Sequence, residues 1–367
     1  MNSFCCTRLT VIYRVFIRLI AVVFLLSCDA TRENDPPELT ESSLSLALQQ
    51  AVDFSVIPAV NAFQAQTSAM QKNAQQFCLK PTLANLTAAQ LQWRTLSDSW
   101  FRLSLYRFGP LDDDFVFPPY TFIDSLRLRG TNYTNTVRDE LLSWQVDSTA
   151  LDDAFFSRQT FQKVGLLTIE VALFETTGNL SQSPQDIVDE YVATARKCAI
   201  LNGLATNLLG HAQTLHDAWH SPYNNTTESY RELFLANKLD DGSEPLAVLI
   251  TSIQDYFNYL KQRHIVTTSS QLSQHVWVSV SCSMDEVETL LRGTKQTTFS
   301  FFDLMIAANY EASVETIEAN LQTIRTSIDL QDPVEFEISA AQLDGNFKRE
   351  IPEGLEVELG IHFTDGD

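Results

Sequence analysis

The chain has 367 residues, of which 46 are acidic and 25 are basic, so its formal net charge is −21 at pH 7. This charge argues against a nucleic-acid partner, because proteins bind phosphates mainly through Lys and Arg side chains. The length exceeds what one hydrophobic core usually serves, and two packed subdomains are therefore expected.

The first 28 residues predict an export signal that ends in a lipidated cysteine. Arg8, Arg14 and Arg18 precede the apolar run 19–26, and no acidic residue occurs before Cys28. A basic segment, a short apolar core and a small residue before the cleavage site are typical of a secretory signal. The apolar run is well short of the ~20 residues that a membrane-spanning helix needs. The ending at Cys28 resembles the bacterial lipobox, in which the cysteine is acylated.

The mature protein is therefore expected to be anchored to a membrane of the cell envelope through Cys28 and to face the periplasm. Residues 29–40 contain two prolines and four acidic residues and almost no apolar side chain, which is typical of a tether between lipid and fold. The alternative is ordinary cleavage at a nearby site, with Cys28 left unmodified.

Beyond the tether, the apolar spacing predicts helices. Apolar residues between 44 and 63 recur three or four positions apart, as on one buried helix face, and Pro58 is expected to bend this helix. Trp93 and Trp100 mark a second helix, and a third is expected over residues 159–176. Trp100 falls on the apolar stripe of its helix, which favours a place in the core.

A fourth helix begins near residue 184, where Pro184 suits the first helical turn. Its apolar residues from Cys198 to Trp219 alternate in steps of three and four, as along the seam of a helical bundle. Trp219 is therefore also expected in the core. Further helices are predicted over residues 226–238, 243–264, 283–292 and 302–328.

The C-terminal region has a different pattern. Residues 334–338 and 355–361 alternate apolar and acidic side chains, which predicts two short strands or an extended segment laid on the bundles. The overall expectation is an all-α fold of two four-helix bundles, over residues 41–182 and 183–367, with a short extended C-terminal segment. Similar placement of tryptophans after a cysteine in both halves hints at an internal repeat.

In the processed chain, three cysteines remain after Cys28 is assigned to lipid, namely Cys78, Cys198 and Cys282. An exported protein can form disulfides, but spacing alone does not fix the pairing. A bond between Cys78 and Cys198 is the favoured interpretation. The alternative is that all three are small buried hydrophobic residues.

Several short segments, taken in order, resemble the imelysin-like family over about residues 44–367. The resemblance implies a repeat of two four-helix bundles, found in lipoproteins associated with bacterial iron uptake. The family was first described as a metallopeptidase, and its signature motif is Gly-x-His-x-x-Glu. The segments are residues 77–81 (FCLKP), 93–100, 107–110 (RFGP), 165–170 (GLLTIE), 196–198 (RKC) and 360–367 (GIHFTDGD).

The signature motif falls on residues 165–170, but its histidine is missing. Gly165 and Glu170 occupy the glycine and glutamate positions, whereas Leu167 occupies the histidine position. Leucine cannot bind a metal ion. The departure therefore argues against peptidase activity in this chain.

Glu170 is the residue that the sequence singles out most clearly. It is the only charged residue of the apolar stretch 164–174, and carboxylates are rarely buried without a partner. One interpretation is a buried salt bridge with Arg107 or Arg102. The other is a polar ligand pocket between the bundles, formed by Glu170, Gly165, Arg107 and Trp100.

A metal site has weaker candidates. His216 and His220 are four residues apart on one helix, as two zinc ligands would be, with Asp217 as a possible base. Their positions beside the apolar seam favour side chains that face water near the helix end instead. Asp365 would bind a cation only if the C-terminal tail were held against the bundles. An iron or zinc cofactor is therefore an open hypothesis.

Two classes of function follow from these observations. The first is a non-enzymatic binding or accessory protein of bacterial iron uptake, whose partner is a small ligand or another uptake component. The second is a diverged metal-dependent peptidase of the imelysin family. The replacement of the motif histidine by Leu167 favours the first class.

Overall fold

Helices form almost all the regular structure of the computed structural model, which describes residues 38–114, 116–127 and 131–359, and these residues contain no strand. This confirms the all-α class. The predictions for the signal segment with Cys28, for most of the tether and for Asp365 concern residues outside this described part.

The helices of the first half surround two tryptophans, Trp93 and Trp100, that are buried in the core. A π-helical turn, Val52–Val56, joins the first two helices. The irregularity expected at Pro58 therefore lies just before this proline. The helices are α1 (Glu41–Ala51), α2 (Ile57–Leu79), α3 (Leu83–Leu103), α4 (Thr134–Val146), α5 (Asp153–Phe156), α6 (Leu166–Phe174), α7 (Pro184–Ala193) and α8 (Ala195–His220).

Helices lie in each of the four regions of the second half that the apolar spacing predicts, but their bounds differ from the predicted ones. The expected helix over 302–328, for example, is interrupted between residues 307 and 311. The helices are α9 (Tyr230–Leu235), α10 (Pro245–Gln262), α11 (Ile265–Thr268), α12 (Val276–Arg292), α13 (Phe301–Ala307), α14 (Glu311–Leu330), α15 (Pro333–Lys348) and α16 (Glu350–Gly354).

Two groups of four long helices make up the core. In the first group α2 packs against α3 and α8, and α6 packs against α3 and α8. In the second group α15 packs against α10 and α14, and α12 packs against α14. Contact between α3 and α12 joins the groups, and both belong to one compact unit that begins at Leu39.

The helix α8 belongs by its packing to the first group. A disulfide between Cys78 and Cys198 links α2 to α8, with the two Cα atoms 5.4 Å apart, and confirms the favoured pairing. Cys282 is a free thiol. The expected domain boundary after residue 182 falls before α7 and α8, whereas the packing changes group only beyond α8.

The stretch Glu41–Leu79, which comprises α1, the π-helical turn and α2, is long and apolar enough to cross a membrane by length and composition alone. In this fold 56% of the qualifying window is buried against other parts of the protein. Core helices of soluble proteins meet the same criterion, so the finding carries little weight for a membrane span.

The strand prediction for residues 334–338 is wrong, because these residues form the first turns of α15. Asp332 caps this helix by accepting hydrogen bonds from the backbone N–H groups of Val334 and Glu335, and Pro333 occupies its first turn, where a missing N–H costs nothing. Residues 357–359 form neither helix nor strand.

Candidate ligand-binding site

The site is built on α6, which is shorter than the helix expected over 159–176. Gly165 stops it at its N-terminal end, with a φ angle of +86° that favours glycine. A Cβ atom at this position would lie 2.6 Å from the carbonyl oxygens of both Phe122 and Ile123. The N–H of Leu166 donates to the Ile123 carbonyl at 3.0 Å. Gly165 thus allows the 119–127 segment to pack directly on the start of α6.

Glu170 lies in the middle of this helix and is only 2% exposed. Its Oε1 atom accepts a hydrogen bond of 2.8 Å from the backbone N–H of Ser273, in the loop that precedes α12. In the described part of the chain no Lys, Arg or His side chain forms an ion pair with this carboxylate. Burial raises the pKa of Glu170 to about 7, although hydrogen bonds from Ser273 and Leu272 oppose the shift.

The salt-bridge interpretation of Glu170 is therefore wrong for both of the expected arginines. Arg107 lies 3.7 Å from Asp255 and 3.9 Å from Asp112, and its guanidinium stacks over the Tyr120 ring. Arg102 pairs instead with Asp285 and Glu286 of α12.

A cavity of about 390 Å³ adjoins Glu170 where α3, α4 and α6 meet the loop after α11. Leu167, at the position of the motif histidine, lines the same cavity one helical turn before Glu170. The exposed residues Thr131, Asn132 and Asn135 form part of the lining, so this wall is in contact with solvent. The lining also contains Trp93, Trp100, Phe101, Tyr133, Asp124 and Arg138, and the hydroxyl- and amide-bearing residues of 268–271.

Asp124 is a second carboxylate of the cavity wall, and the sequence patterns did not point to it. Its Oδ2 atom accepts hydrogen bonds from Trp100 Nε1 at 3.2 Å and from the Tyr259 hydroxyl at 2.9 Å. Its Oδ1 atom accepts the N–H of Leu126 at 3.2 Å. The carboxylate is thereby oriented by both helix groups, through α3 and α10.

Arg138 is the cation of the described cavity lining, and it is already paired. Its Nε and Nη2 atoms donate to the two oxygens of Glu175 at 2.6 Å and 2.7 Å. Glu175 lies just after α6, and the Nζ atom of buried Lys197 contacts its carbonyl oxygen at 3.4 Å. Lys197 also forms an ion pair with Glu190. Arg138 and Lys197 are thus neutralised by carboxylates other than Glu170.

Of the predicted ligand-site residues, the structure brings Glu170 and Trp100 together at the cavity, while Gly165 shapes the start of the helix behind it. Arg107 does not line the cavity. Trp100 is 1% exposed and Trp219 is 3% exposed, as expected of core residues, and Trp219 packs in an aromatic cluster with Phe108.

The two histidines considered for a metal site lie in the last turns of α8. The rings of His216 and His220 stack at 4.2 Å between centroids, and Nδ1 of His220 is bonded to the His216 carbonyl. Asp217 lies beside His216. Another histidine of α8, His211, stacks on the Phe122 ring. Within the described ranges no three His, Cys, Asp or Glu side chains are grouped so as to hold a metal ion.

Comparison with known proteins agrees with this helical architecture. The model of the peptidase family Imelysin matches residues 56–348. An imelysin-like protein from Psychrobacter arcticum 273-4 has a similar structure, with a TM-score of 0.64 at 14% identity over 89% of this chain and 100% of that one. No curated protein matches the chain in sequence.

A second solved structure, from Parabacteroides distasonis ATCC 8503, is described as an iron-regulated protein A precursor. Its TM-score is 0.56 at 13% identity, over 87% of this chain and 96% of that one. At these identities the structures show the fold alone, which is an all-α, imelysin-like fold. The family match extends over most of the chain, and the protein therefore belongs to the imelysin family.

Proposed function

We propose that this protein is a non-enzymatic binding protein of the bacterial cell envelope that acts in iron acquisition, and that it binds its ligand in the cavity beside Glu170. The observation that carries the proposal is the burial of Glu170 next to a cavity of about 390 Å³ with no cationic partner in the described residues. A buried carboxylate is expensive to maintain, and such groups occur preferentially at functional sites.

The proposal of a binding role rests on the chemistry of the wall. Leu167 faces the cavity at the place of the motif histidine, so the position offers a hydrophobic surface where a metal ligand would be needed. The involvement of iron rests on the family resemblance and on the similar fold of the protein described as iron-regulated.

A location outside the cytoplasm is supported by two independent features. The sequence begins with a segment that resembles a lipoprotein signal ending at Cys28. Cys78 and Cys198 form a disulfide, and disulfides persist mainly in oxidising compartments such as the periplasm.

Growth on limiting iron tests the proposal. A deletion strain that carries the Glu170→Gln variant should grow as poorly as the deletion strain itself, because the substitution keeps the shape and removes the charge. Glu286→Gln is the matched control, since Glu286 is also buried but bonds to Tyr106 and Arg102 away from the cavity. The control should restore growth. Full growth with Glu170→Gln would remove the basis of the proposal.

The second candidate function is a diverged metal-dependent peptidase, which the family name favours. It requires a bound metal. Metal analysis of the purified protein should find zinc and iron well below one atom per chain. Stoichiometric zinc that disappears in a His216→Ala, His220→Ala double variant would support the peptidase instead.

A further inference from the structure

We propose that the cavity beside Glu170 selects a small organic cation of the alkylamine class over anions and bare metal ions. This inference rests on the binding site of the proposed function, but it does not depend on the role in iron acquisition.

The charges of the cavity wall favour a cation. Among the described lining residues, Glu170 and Asp124 are carboxylates and Arg138 is the cation. Arg138 is held by both oxygens of Glu175, whose side chain is 1% exposed. An anion that enters the cavity would therefore meet the two carboxylates of the described lining, and like charges repel one another.

The hydrogen bonding of Glu170 leaves room for a cationic donor. A carboxylate offers about four lone-pair sites. The backbone N–H of Ser273 occupies one site on Oε1, and the further hydrogen bonds to the carboxylate come from neutral groups of Ser273 and Leu272. The charge that acts on it, that of Glu175, is also negative. An ammonium group brings three N–H donors and a positive charge, which would balance the buried negative charge of Glu170.

The rest of the lining suits the carbon chain of an amine. The indole N–H groups of Trp93 and Trp100 are already bonded, to the Leu166 carbonyl and to Asp124. The two rings, with Phe101 and Leu167, therefore supply apolar surface and not hydrogen bonds. Aromatic faces also attract organic cations.

A bare metal ion is a poorer fit to the same walls. Metal sites need three or more ligands at short distances, and no such group of His, Cys, Asp and Glu side chains occurs in the described ranges. At the motif position Leu167 contributes carbon atoms alone. A compact ion would leave most of a 390 Å³ cavity unfilled, whereas an organic cation fills it.

Binding should release a proton near neutral pH. The pKa of Glu170 is about 7, and an ammonium beside the carboxylate would lower it, so affinity should rise between pH 6 and pH 8.

Other charged groups face this region. They are Glu175 after α6, Arg94 and Asp98 on α3, Asp124, Arg138 on α4, and His275, which bonds to Asp98. A His275→Gln variant is measured in parallel, because the His275 side chain bonds to Asp98 beside this region.

Calorimetry with three four-carbon probes tests the inference on the full-length protein in detergent. Putrescine carries two ammonium groups, 1,4-butanediol has the same length without charge, and succinate is the dianion. Putrescine should bind saturably, with proton release at pH 7 when buffers of different ionisation enthalpy are compared. Butanediol and succinate should bind at least tenfold more weakly, and Zn²⁺ should not compete. Absence of putrescine binding at millimolar concentration, or equal binding of succinate, would overturn the inference.

Variants assign the binding to Glu170. Glu170→Gln should weaken putrescine at least tenfold and abolish proton release, whereas Glu286→Gln and His275→Gln should retain both. Unchanged binding in Glu170→Gln would overturn the assignment. If Glu170→Gln fails to support growth on limiting iron but no amine binds, the proposed function stands and the ligand class is wrong. If putrescine binds but Glu170→Gln supports full growth, the ligand class stands and the role in iron acquisition is wrong.

Discussion

At the scale of single residues, Glu170 combines two properties that normally exclude one another. It is almost completely buried, yet it lacks a cationic partner in the described structure and receives its hydrogen bonds from neutral groups of residues 272 and 273. Such an arrangement costs folding free energy, because the charged form is poorly solvated. Proteins retain such a cost mainly where a ligand or a reaction needs the group.

The pH dependence of stability provides a direct measure of this cost. The pKa of Glu170 is about 7 in the folded protein, against an ordinary value of 4.5, so between these values the folded state binds more protons than the unfolded state. Its contribution to the stability therefore falls as pH rises from about 4.5 to about 7, by an amount on the order of 3 kcal/mol.

We expect Glu170→Gln to melt near the wild-type temperature at pH 5 and several degrees above it at pH 8, because glutamine stays neutral throughout. Contributions from other titrating groups are shared by both proteins and cancel in the difference. Thermal melts followed by circular dichroism would measure it. A difference that does not change with pH would show that Glu170 is not desolvated as described.

The sequence pointed to Glu170 because a lone charge in the apolar stretch 164–174 is a strong local signal. Its surroundings had no such signal. Asp124 and Ser273 lie in irregular segments where no periodicity marks a buried side. Arg107 and Arg102 were the expected partners, but both pair with other carboxylates in the structure.

At the scale of elements, the start of α6 depends on one glycine. The φ angle of +86° at Gly165 is costly for other residues, and the carbonyl groups of Phe122 and Ile123 occupy the space of a side chain. The sequence marked Gly165 as the motif glycine, but it did not show that the helix begins there. The expected helix over 159–176 therefore extended too far toward the N-terminus.

Gly165→Ala should lower the free energy of unfolding by more than the 1–3 kcal/mol typical of an unfavourable backbone angle alone. Gly178→Ala is the matched control, because Gly178 has a φ angle of +88° but open space where the Cβ would lie. The difference between the two variants isolates the clash with the 122–123 backbone. Urea denaturation would measure it, and equal losses would contradict the packing described here.

The error over residues 334–338 has a similar origin in short patterns. Val334, Phe336 and Ile338 alternate with glutamates as in a half-buried strand, but only Phe336 is buried, while Val334 and Ile338 are exposed one turn apart. Pro333 and the Asp332 cap decide in favour of the helix. Five residues of alternation were too few to outweigh these start signals.

At the scale of the whole molecule, length, periodicity and family resemblance were enough to predict an all-α fold, and the cysteine pairing was also predicted correctly. The cavity was not predictable in detail, because its lining comes from three regions distant in sequence, at 93–138, 166–170 and 268–272. Only the packing of α3, α4 and α6 against the loop after α11 brings these regions together.

The proposed location predicts the behaviour of Cys28→Ala. Without an acylation site the protein should remain unprocessed or become soluble, while its fold is unchanged because the folded unit begins at Leu39. Cys282→Ala, which removes the free thiol, is the control and should stay with the membrane fraction. Fractionation after processing would decide, and tight membrane association of the Cys28 variant would contradict the lipoprotein proposal.

The most direct test of the account is to fill the cavity without changing its charge. Leu167→Trp places a larger side chain on the wall beside Glu170, and Leu142→Trp makes the same change at an exposed position of α4. We predict that both variants fold, as judged by their melting temperatures, but that only Leu142→Trp restores growth of the deletion strain on limiting iron. Full growth with a folded Leu167→Trp variant would contradict a ligand-binding role for this cavity.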